Sequence, residues 1–508
     1  MLETVDTTKK VDKEAYREWF PRLKADLREL QQAAREAQIP IVVIFEGWHL
    51  SGKADSILHI TEALDPRGFN VYDTGMPTPQ ENQRPWFHRF MVRTPARGKF
   101  AVFERSWYMR VLAERVEGNL TSHELSHAYQ DINRIEQMLV RDGALIVKFF
   151  LHISRKEHKR RLDEGEKDPF RELDNSLHNW RSYKKYDEQL AAVEEMLERT
   201  STHFAPWVIV EAGDNRYRRM KVLQVLCEAI VAELNARRAR KAPAKPEKKS
   251  ADSNSRISVP VLEEMPTVLD KVDMNKSLTA EEYDAAKIKL QARLRELQYE
   301  MVVHGLPLLI VFEGWDAAGK GGSIRRLTAQ LDARFYDVIS IAKPTPEELG
   351  HHYLWRFWKH IPRKGYMTIF DRSHYGRVTV ERIEGFCTED EWRRAYQEIN
   401  EFELMLYQAG TGIVKFWLEI TPEEQLARFQ AREKNPHKAW KLTDEDWRNR
   451  EKWAEYREAV DDMIKRTSTT YAPWTIIEGN CKRHARVRCM ETVIASIENM
   501  LKTRKQRK

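Results

Sequence analysis

The stretch Leu308-Leu-Ile-Val-Phe312-Glu-Gly314-Trp-Asp316-Ala-Ala-Gly319-Lys320-Gly-Gly-Ser323 decides the fold. Leu308–Phe312 is a short apolar run without alternation, as expected for a strand buried on both faces of a parallel sheet. After Ser323, Ile324, Leu327 and Leu331 recur on one face of a helix. Between strand and helix lies G-x-x-x-x-G-K. In that setting the backbone N–H groups of Gly314, Ala317, Ala318, Gly319, Gly321 and Gly322 can curl around phosphate oxygens. The helix N-terminus adds the positive end of its dipole, and Lys320 reaches the phosphates. The loop departs from the standard pattern at one position. Gly321 follows the lysine where Ser or Thr would supply a magnesium-binding hydroxyl, so Asp316 and Ser323 are the candidate replacements.

Downstream, further apolar runs at Asp337–Ile341, Tyr366–Phe370, Ile413–Leu418 and Trp474–Ile477 read as strands. Long amphipathic segments, such as Glu281–Val303 and Asp390–Ala409, separate them as helices. The expectation is an α/β fold with a parallel sheet and helices on both faces. Ligands in such sheets bind beyond the carboxyl ends of the strands, here just after Phe312 and Phe370. The second of these points carries Asp371-Arg372-Ser373-His374-Tyr375-Gly376-Arg377. An acidic residue ending a strand beside a phosphate loop suits a magnesium ligand, and Arg372, Arg377 and Arg382 suit phosphoryl oxygens. Asp371 as a helix cap is the competing reading. A third cluster, Arg428 to Lys441, mixes Arg432, Lys434, Lys438 and Lys441 with a proline and Trp440. It stands where a mobile lid closes over phosphates, though a solvated basic helix has the same composition.

The whole pattern occurs twice. Phe45-Glu-Gly-Trp48 recurs as Phe312-Glu-Gly-Trp315, and 312 − 45 = 267. Glu104-Arg-Ser106 recurs as Asp371-Arg-Ser373, and 371 − 104 = 267. Val147-Lys-Phe149 and Arg199 to Trp207 return as Val414-Lys-Phe416 and Arg466 to Trp474 at the same offset. Chance does not keep one spacing across four anchors, so the chain is a duplication. Residues 237–249 carry seven Lys or Arg against one Glu and bury too little to fold. The expected layout is therefore a first repeat over 1–235, a flexible basic linker over 236–268 and a second repeat over 269–508. The first copy keeps Lys53, Arg105, Arg110 and Arg115 but has His49 for Asp316 and Glu104 for Asp371. In its lid Arg171, Leu173 and Asp174 replace Lys438, Trp440 and Lys441. If the loop carboxylate positions magnesium or the acceptor phosphate, only the second copy is competent.

A length of 508 residues calls for two or three domains, and 42% hydrophobic against 32% charged residues is a globular composition. No apolar run approaches the ~20 residues of a membrane span. Cys227, Cys387, Cys481 and Cys489 are scattered without a CxxC pair, which suits a reducing cytoplasm. His351, His352 and His374 lack metal-ligand company. A net charge of +7 favours an anionic partner without choosing one.

The loop G-W-D-A-A-G-K, the D-R-S-H-Y segment and the basic lid with N-P-x-K-x-W-K resemble the polyphosphate kinase 2 family, over both repeats and outside the linker. The resemblance implies two tandem thymidylate-kinase-like P-loop domains, each a three-layer α/β domain with a helical lid. It implies phosphoryl transfer between inorganic polyphosphate and a nucleotide, AMP or ADP, with Mg²⁺. The tandem arrangement resembles the family's long members, which use AMP. Carried over singly, the catalytic set is Asp316, Lys320, Asp371, Arg372, Arg377 and Arg382, with Arg432 reaching in from the lid; Asp316 and Asp371 would hold the metal. Nucleic acid and membrane are not expected partners, and self-association stays open. Three alternatives also stay open: a polyphosphate kinase acting on ADP or GDP, an ATP-dependent nucleotide kinase, and a non-catalytic polyanion-binding pair.

Overall fold

A computed structural model describes residues 2–165, 184–241, 267–435 and 442–506. The chain divides into two compact units, one built mainly from residues before 250 and the other mainly from those after it. The first holds strands β1 (Ile41–Gly47), β2 (Phe69–Asp73), β3 (Phe100–Glu104), β4 (Leu145–His152) and β5 (Trp207–Glu211). The second holds β6 (Leu308–Gly314), β7 (Tyr336–Ser340), β8 (Met367–Asp371), β9 (Gly412–Glu419) and β10 (Trp474–Glu478). The sheets run β2-β3-β1-β4-β5 and, equivalently, β7-β8-β6-β9-β10, and every pairing is parallel.

That order places the strand preceding each phosphate loop at the centre. β6 pairs with β8 through Phe312↔Asp371 and with β9 through Phe312↔Phe416. Leu308 to Phe312 are fully buried, so both faces of β6 lie under helices. The strand continues through Glu313 and Gly314, which pair with Trp417 and Leu418. Backbone pairing sets this boundary, and apolarity had placed it two residues early. β7 corrects the expectation of a strand buried on both faces: it lies at the sheet edge, and Asp337, Val338 and Ser340 are exposed. The helix after the loop, Lys320–Thr328, stops short of Leu331. Asp332 there caps a following 3₁₀ turn by accepting from Arg334 N at 3.0 Å, and Leu331, just before that cap, is buried outside the helix.

Helix Ala280–His304 begins where Thr279 and Glu282 form a reciprocal capping box and ends at Gly305, whose φ of 62° suits glycine. The helix ending the first repeat runs from Asn215 to Lys241, into the segment expected to be linker; residues 242–266 lie outside the described ones. Each core also buries an identical polar network. Lys415 Nζ donates to Glu403 (2.8 Å), Tyr375 Oη (2.7 Å) and Thr467 O (2.8 Å). Lys148 does the same with Glu136 (2.7 Å), Tyr108 Oη (2.9 Å) and Thr200 O (2.8 Å). Both cations are fully buried and fully partnered, which ties the strand to two neighbouring elements.

Candidate active site

The site of the second repeat is assembled at the carboxyl ends of β6 and β8. Gly314 ends β6 with φ 146°, and a Cβ there would stand 2.6 Å from Leu418 O, so only glycine lets the loop leave the strand. Ala317 (φ 61°) and Gly319 (φ 113°) turn the loop back onto the helix N-terminus. Arg428 fixes the turn from behind. Its guanidinium donates to Ala317 O (2.9 Å), Ala318 O (2.8 Å), Gly479 O (2.7 Å) and Asn480 O (3.0 Å).

Lys320 Nζ donates to Gly314 O (2.5 Å) and Trp315 O (3.1 Å), two of its three N–H groups. Burial pulls its ammonium below the ordinary lysine value, and Asp316, Asp371 and Glu313 act against that pull. The charges that act on Lys320 are thus those of the loop, the strand end and Arg372. Arg372 sits in left-handed backbone at φ 63° and donates from Nη2 to Asp316 Oδ1 at 3.2 Å. Asp371 Oδ2 faces the helix start: a Cβ on Gly321 would lie 3.9 Å from it. The position that usually carries a hydroxyl is therefore bare backbone next to a carboxylate.

Ser323 does not face this space. It is buried, and its hydroxyl bonds the Cys489 thiol, which burial pushes up to about 12. Arg377 pairs with Glu381 at 3.0 Å, and Arg382 with Asp462 at 2.8 Å and Glu458 at 3.1 Å, so carboxylates hold both. Gly322 lies beside Arg486, 3.5 Å from Nη2 to a built Cβ. Arg432 ends the helix Pro422–Glu433 half-buried, and Lys434 follows it exposed. Lys438, Trp440 and Lys441, like Arg171, Leu173 and Asp174 of the first copy, lie outside the described residues.

Several participants went unnoticed in the sequence. Asn449 Nδ2 donates to Asp316 Oδ2 at 2.9 Å, and Tyr456 Oη donates to Asn449 Oδ1 at 3.1 Å. Gln425 Nε2 donates to Asp316 O at 3.2 Å. The loop carboxylate is therefore held on both oxygens and at its backbone. Beneath it, buried Glu313 accepts from Ser373 Oγ at 2.7 Å, and burial pushes its carboxyl up. Glu419 Oε2 accepts from both Trp315 Nε1 (2.9 Å) and Trp417 Nε1 (2.6 Å), while Trp315 stacks on Trp453 at 3.7 Å. The duplication held the signal for Asn449 and Tyr456: their first-repeat counterparts are Ser182 and Gln189, changed together with Asp316.

The donor set can be tested against magnesium. Asp316 and Asp371 are hard oxygen donors beside a phosphate loop, and among the described residues no group of three or more His, Cys, Asp or Glu forms a cage. Magnesium binds through one or two carboxylates and completes its shell with water and phosphate oxygens, so these residues fit it. In the first copy Lys53 Nζ keeps the same contacts, to Gly47 O (3.1 Å) and Trp48 O (2.9 Å). Its loop has the same clamp, Arg161 donating to Leu50 O (2.8 Å), Ala212 O (2.8 Å) and Gly213 O (3.1 Å) as Arg428 does in the second copy, and a further lock is added. Asp55 binds Arg218 and Arg219 at 2.5 Å each, and Arg218 Nη1 donates to Ser51 O at 3.2 Å. The second copy has Gly322 and Ala485 at the positions of Asp55 and Arg218.

Among the described residues no helix is long and apolar enough to cross a membrane. The family model for Polyphosphate kinase 2 (PPK2) matches residues 10–238 and again 277–505. Both ends are displaced by the internal offset, 277 − 10 = 505 − 238 = 267. Among curated relatives, the polyphosphate:AMP phosphotransferase of Pseudomonas aeruginosa is 42% identical over 98% of this chain and 99% of its own. That of Acinetobacter johnsonii is 34% identical over 94% and 96%. A crystal structure provisionally assigned as a polyphosphate kinase 2 from Pseudomonas aeruginosa superposes with a TM-score of 0.84 at 39% identity, covering 99% of this chain and 100% of that one. Two family matches, whole-length relatives and the shared architecture agree: this chain belongs to the polyphosphate kinase 2 family.

Proposed function

We propose that the chain transfers a phosphoryl group from inorganic polyphosphate to AMP, giving ADP and a chain one phosphate shorter, and that the second repeat does so. The observation that carries this reading is the convergence of Asp316, Lys320, Asp371 and Arg372 at one strand switch point, with His49 and Glu104 standing in the first copy. Relatives that match nearly full length are named for AMP, whereas relatives named for ADP, such as the ADP-polyphosphate phosphotransferase 2 of Rhizobium meliloti, match under half of this chain. That favours AMP as acceptor.

An ionised oxygen of the AMP phosphate attacks the terminal phosphorus of the chain. A new P–O bond forms, the bond to the bridging oxygen breaks, and the shortened chain leaves with that electron pair. No proton has to move. The protein's part is alignment and neutralisation of oxygens. Lys320 and Arg372 meet the charge on the transferring and leaving phosphates. Asp316 and Asp371 would hold Mg²⁺, which when bound would offset the charge on the phosphates. Asn449 and Gln425 keep the Asp316 loop in place while substrates exchange.

A donor assay tests the reading: purified protein, AMP and Mg²⁺ with either polyphosphate or ATP, and ADP measured. ADP from polyphosphate is expected. ADP formed only with ATP would overturn it.

A further inference from the structure

The first repeat retains a cavity of about 840 Å³ at the position of the second repeat's site. Its lining includes Lys53 and Arg105, the counterparts of Lys320 and Arg372 in the second copy. Its wall is different. Met76, Met109, Leu112 and Val116 line it, where the second repeat has Lys343, Gly376, Thr379 and Ile383. The first three exchanges replace a cation, a bare backbone and a hydroxyl by large apolar side chains, two of them thioethers. On one side the cavity is closed by Lys185, which donates to Val116 O at 2.6 Å.

These changes select a ligand class. A polyphosphate needs cations repeated along its length and, for transfer, carboxylates that hold a metal; the wall has lost Lys343, and His49 replaces Asp316. A mostly apolar cavity in which Lys53 and Arg105 meet, with Lys185, Glu46 and Glu117 also in its lining, suits one short anionic group on a flat apolar body more than a long polyanion. Thioethers make favourable contacts with aromatic rings and adapt to their edges.

We infer that the first repeat is a binding site, without transfer, for a nucleoside monophosphate whose phosphate meets Lys53 and Arg105 and whose base lies against Met76, Met109 and Leu112. The site does not depend on the transfer reaction proposed for the second repeat, since ADP formation is a separate measurement.

The test is calorimetric titration of the full chain with AMP, without polyphosphate or Mg²⁺, in the parent and three variants. Lys53→Met removes the phosphate cation, Leu112→Glu places a carboxylate in the apolar wall, and Lys320→Met disables the second repeat's loop. The expected result is an AMP site that weakens at least about tenfold in Lys53→Met and in Leu112→Glu but persists in Lys320→Met, whatever further AMP the second repeat takes up as acceptor. If the thermal midpoint shows that Leu112→Glu does not fold, Lys53→Met against Lys320→Met decides. AMP binding that is unaffected by Lys53→Met, or that disappears entirely in Lys320→Met, overturns the proposal. So does a first-repeat site that takes an apolar sulfonate such as anilinonaphthalene sulfonate but not AMP.

Discussion

At the residue scale the two repeats act as a built-in control for Asp316. The same cradle carries a carboxylate in one copy and His49 in the other. Asp316→Asn keeps the size of the side chain but removes its charge and one of the two acceptor oxygens that meet Arg372 and Asn449, so turnover should drop by at least about a hundredfold, ~2.7 kcal/mol in barrier. His49→Ala should stay within about threefold of the parent; comparing initial rates of ADP formation checks both, and the reverse pattern would sink the assignment. Asn449 holds Asp316 Oδ2 at 2.9 Å and is itself held by Tyr456. Groups that orient a metal-binding carboxylate typically weaken metal affinity 10–100-fold when removed. Asn449→Ala should therefore raise the Mg²⁺ concentration for half-maximal rate by about tenfold and leave the KM for AMP nearly unchanged, read from a magnesium titration. Asp316, Lys320 and Asp371 stand out as candidates in the sequence because loop spacing and strand ends mark them locally. Asn449 does not, because it arrives from a polar helix 133 positions further along the chain, whose own pattern says only that it is solvated.

At the element scale, strands whose apolar residues were consecutive could be read to within two residues, because burial on both faces leaves an unmistakable run. The errors lie where another force sets the limit: backbone pairing carries β6 into Glu313-Gly314, and the Asp332 cap stops a helix before Leu331. Glu419, at the end of β9, shows what sequence pattern misses entirely. Burial raises its carboxyl from the ordinary 4.5 to about 7, against the two indole donors that favour its charged form. Between those values the folded chain keeps the proton and the unfolded chain has lost it, so the unfolded state binds fewer protons and stability falls as pH rises. The loss should be complete above about pH 7 and amounts at most to ~3 kcal/mol for this group. Glu419→Gln keeps an oxygen acceptor for both indoles and cannot ionise. Its thermal midpoint should fall less than the parent's between about pH 4.5 and pH 7.5. Parallel curves for the two proteins would show that Glu419 titrates normally in the folded state.

At the scale of the whole molecule, the duplication was fully legible because an offset of 267 survives at every anchor, and the family matches obey it too. The anion was not legible from charge, since 85 basic against 78 acidic residues leave only +7, spread over 508 positions. The physical difference between the candidate donors lies in length. AMP presents one phosphate group to a few cations, whereas polyphosphate carries about one charge per unit and a condensed atmosphere of counterions that binding releases. Released counterions make affinity fall steeply with salt, in proportion to the number of contacts. Screening of a single short-range pair is far weaker, because near contacts lie inside the ~10 Å Debye length at 0.1 M. Raising NaCl from about 0.05 to about 0.5 M should therefore lift the KM for polyphosphate by about tenfold or more and that for AMP by less than about threefold. Steady-state rates with each substrate varied at fixed saturating partner make the measurement. Equal shifts for both would mean that the donor is held through few phosphates, as a compact nucleotide is, and the extended polyanion reading of the basic lid would fail.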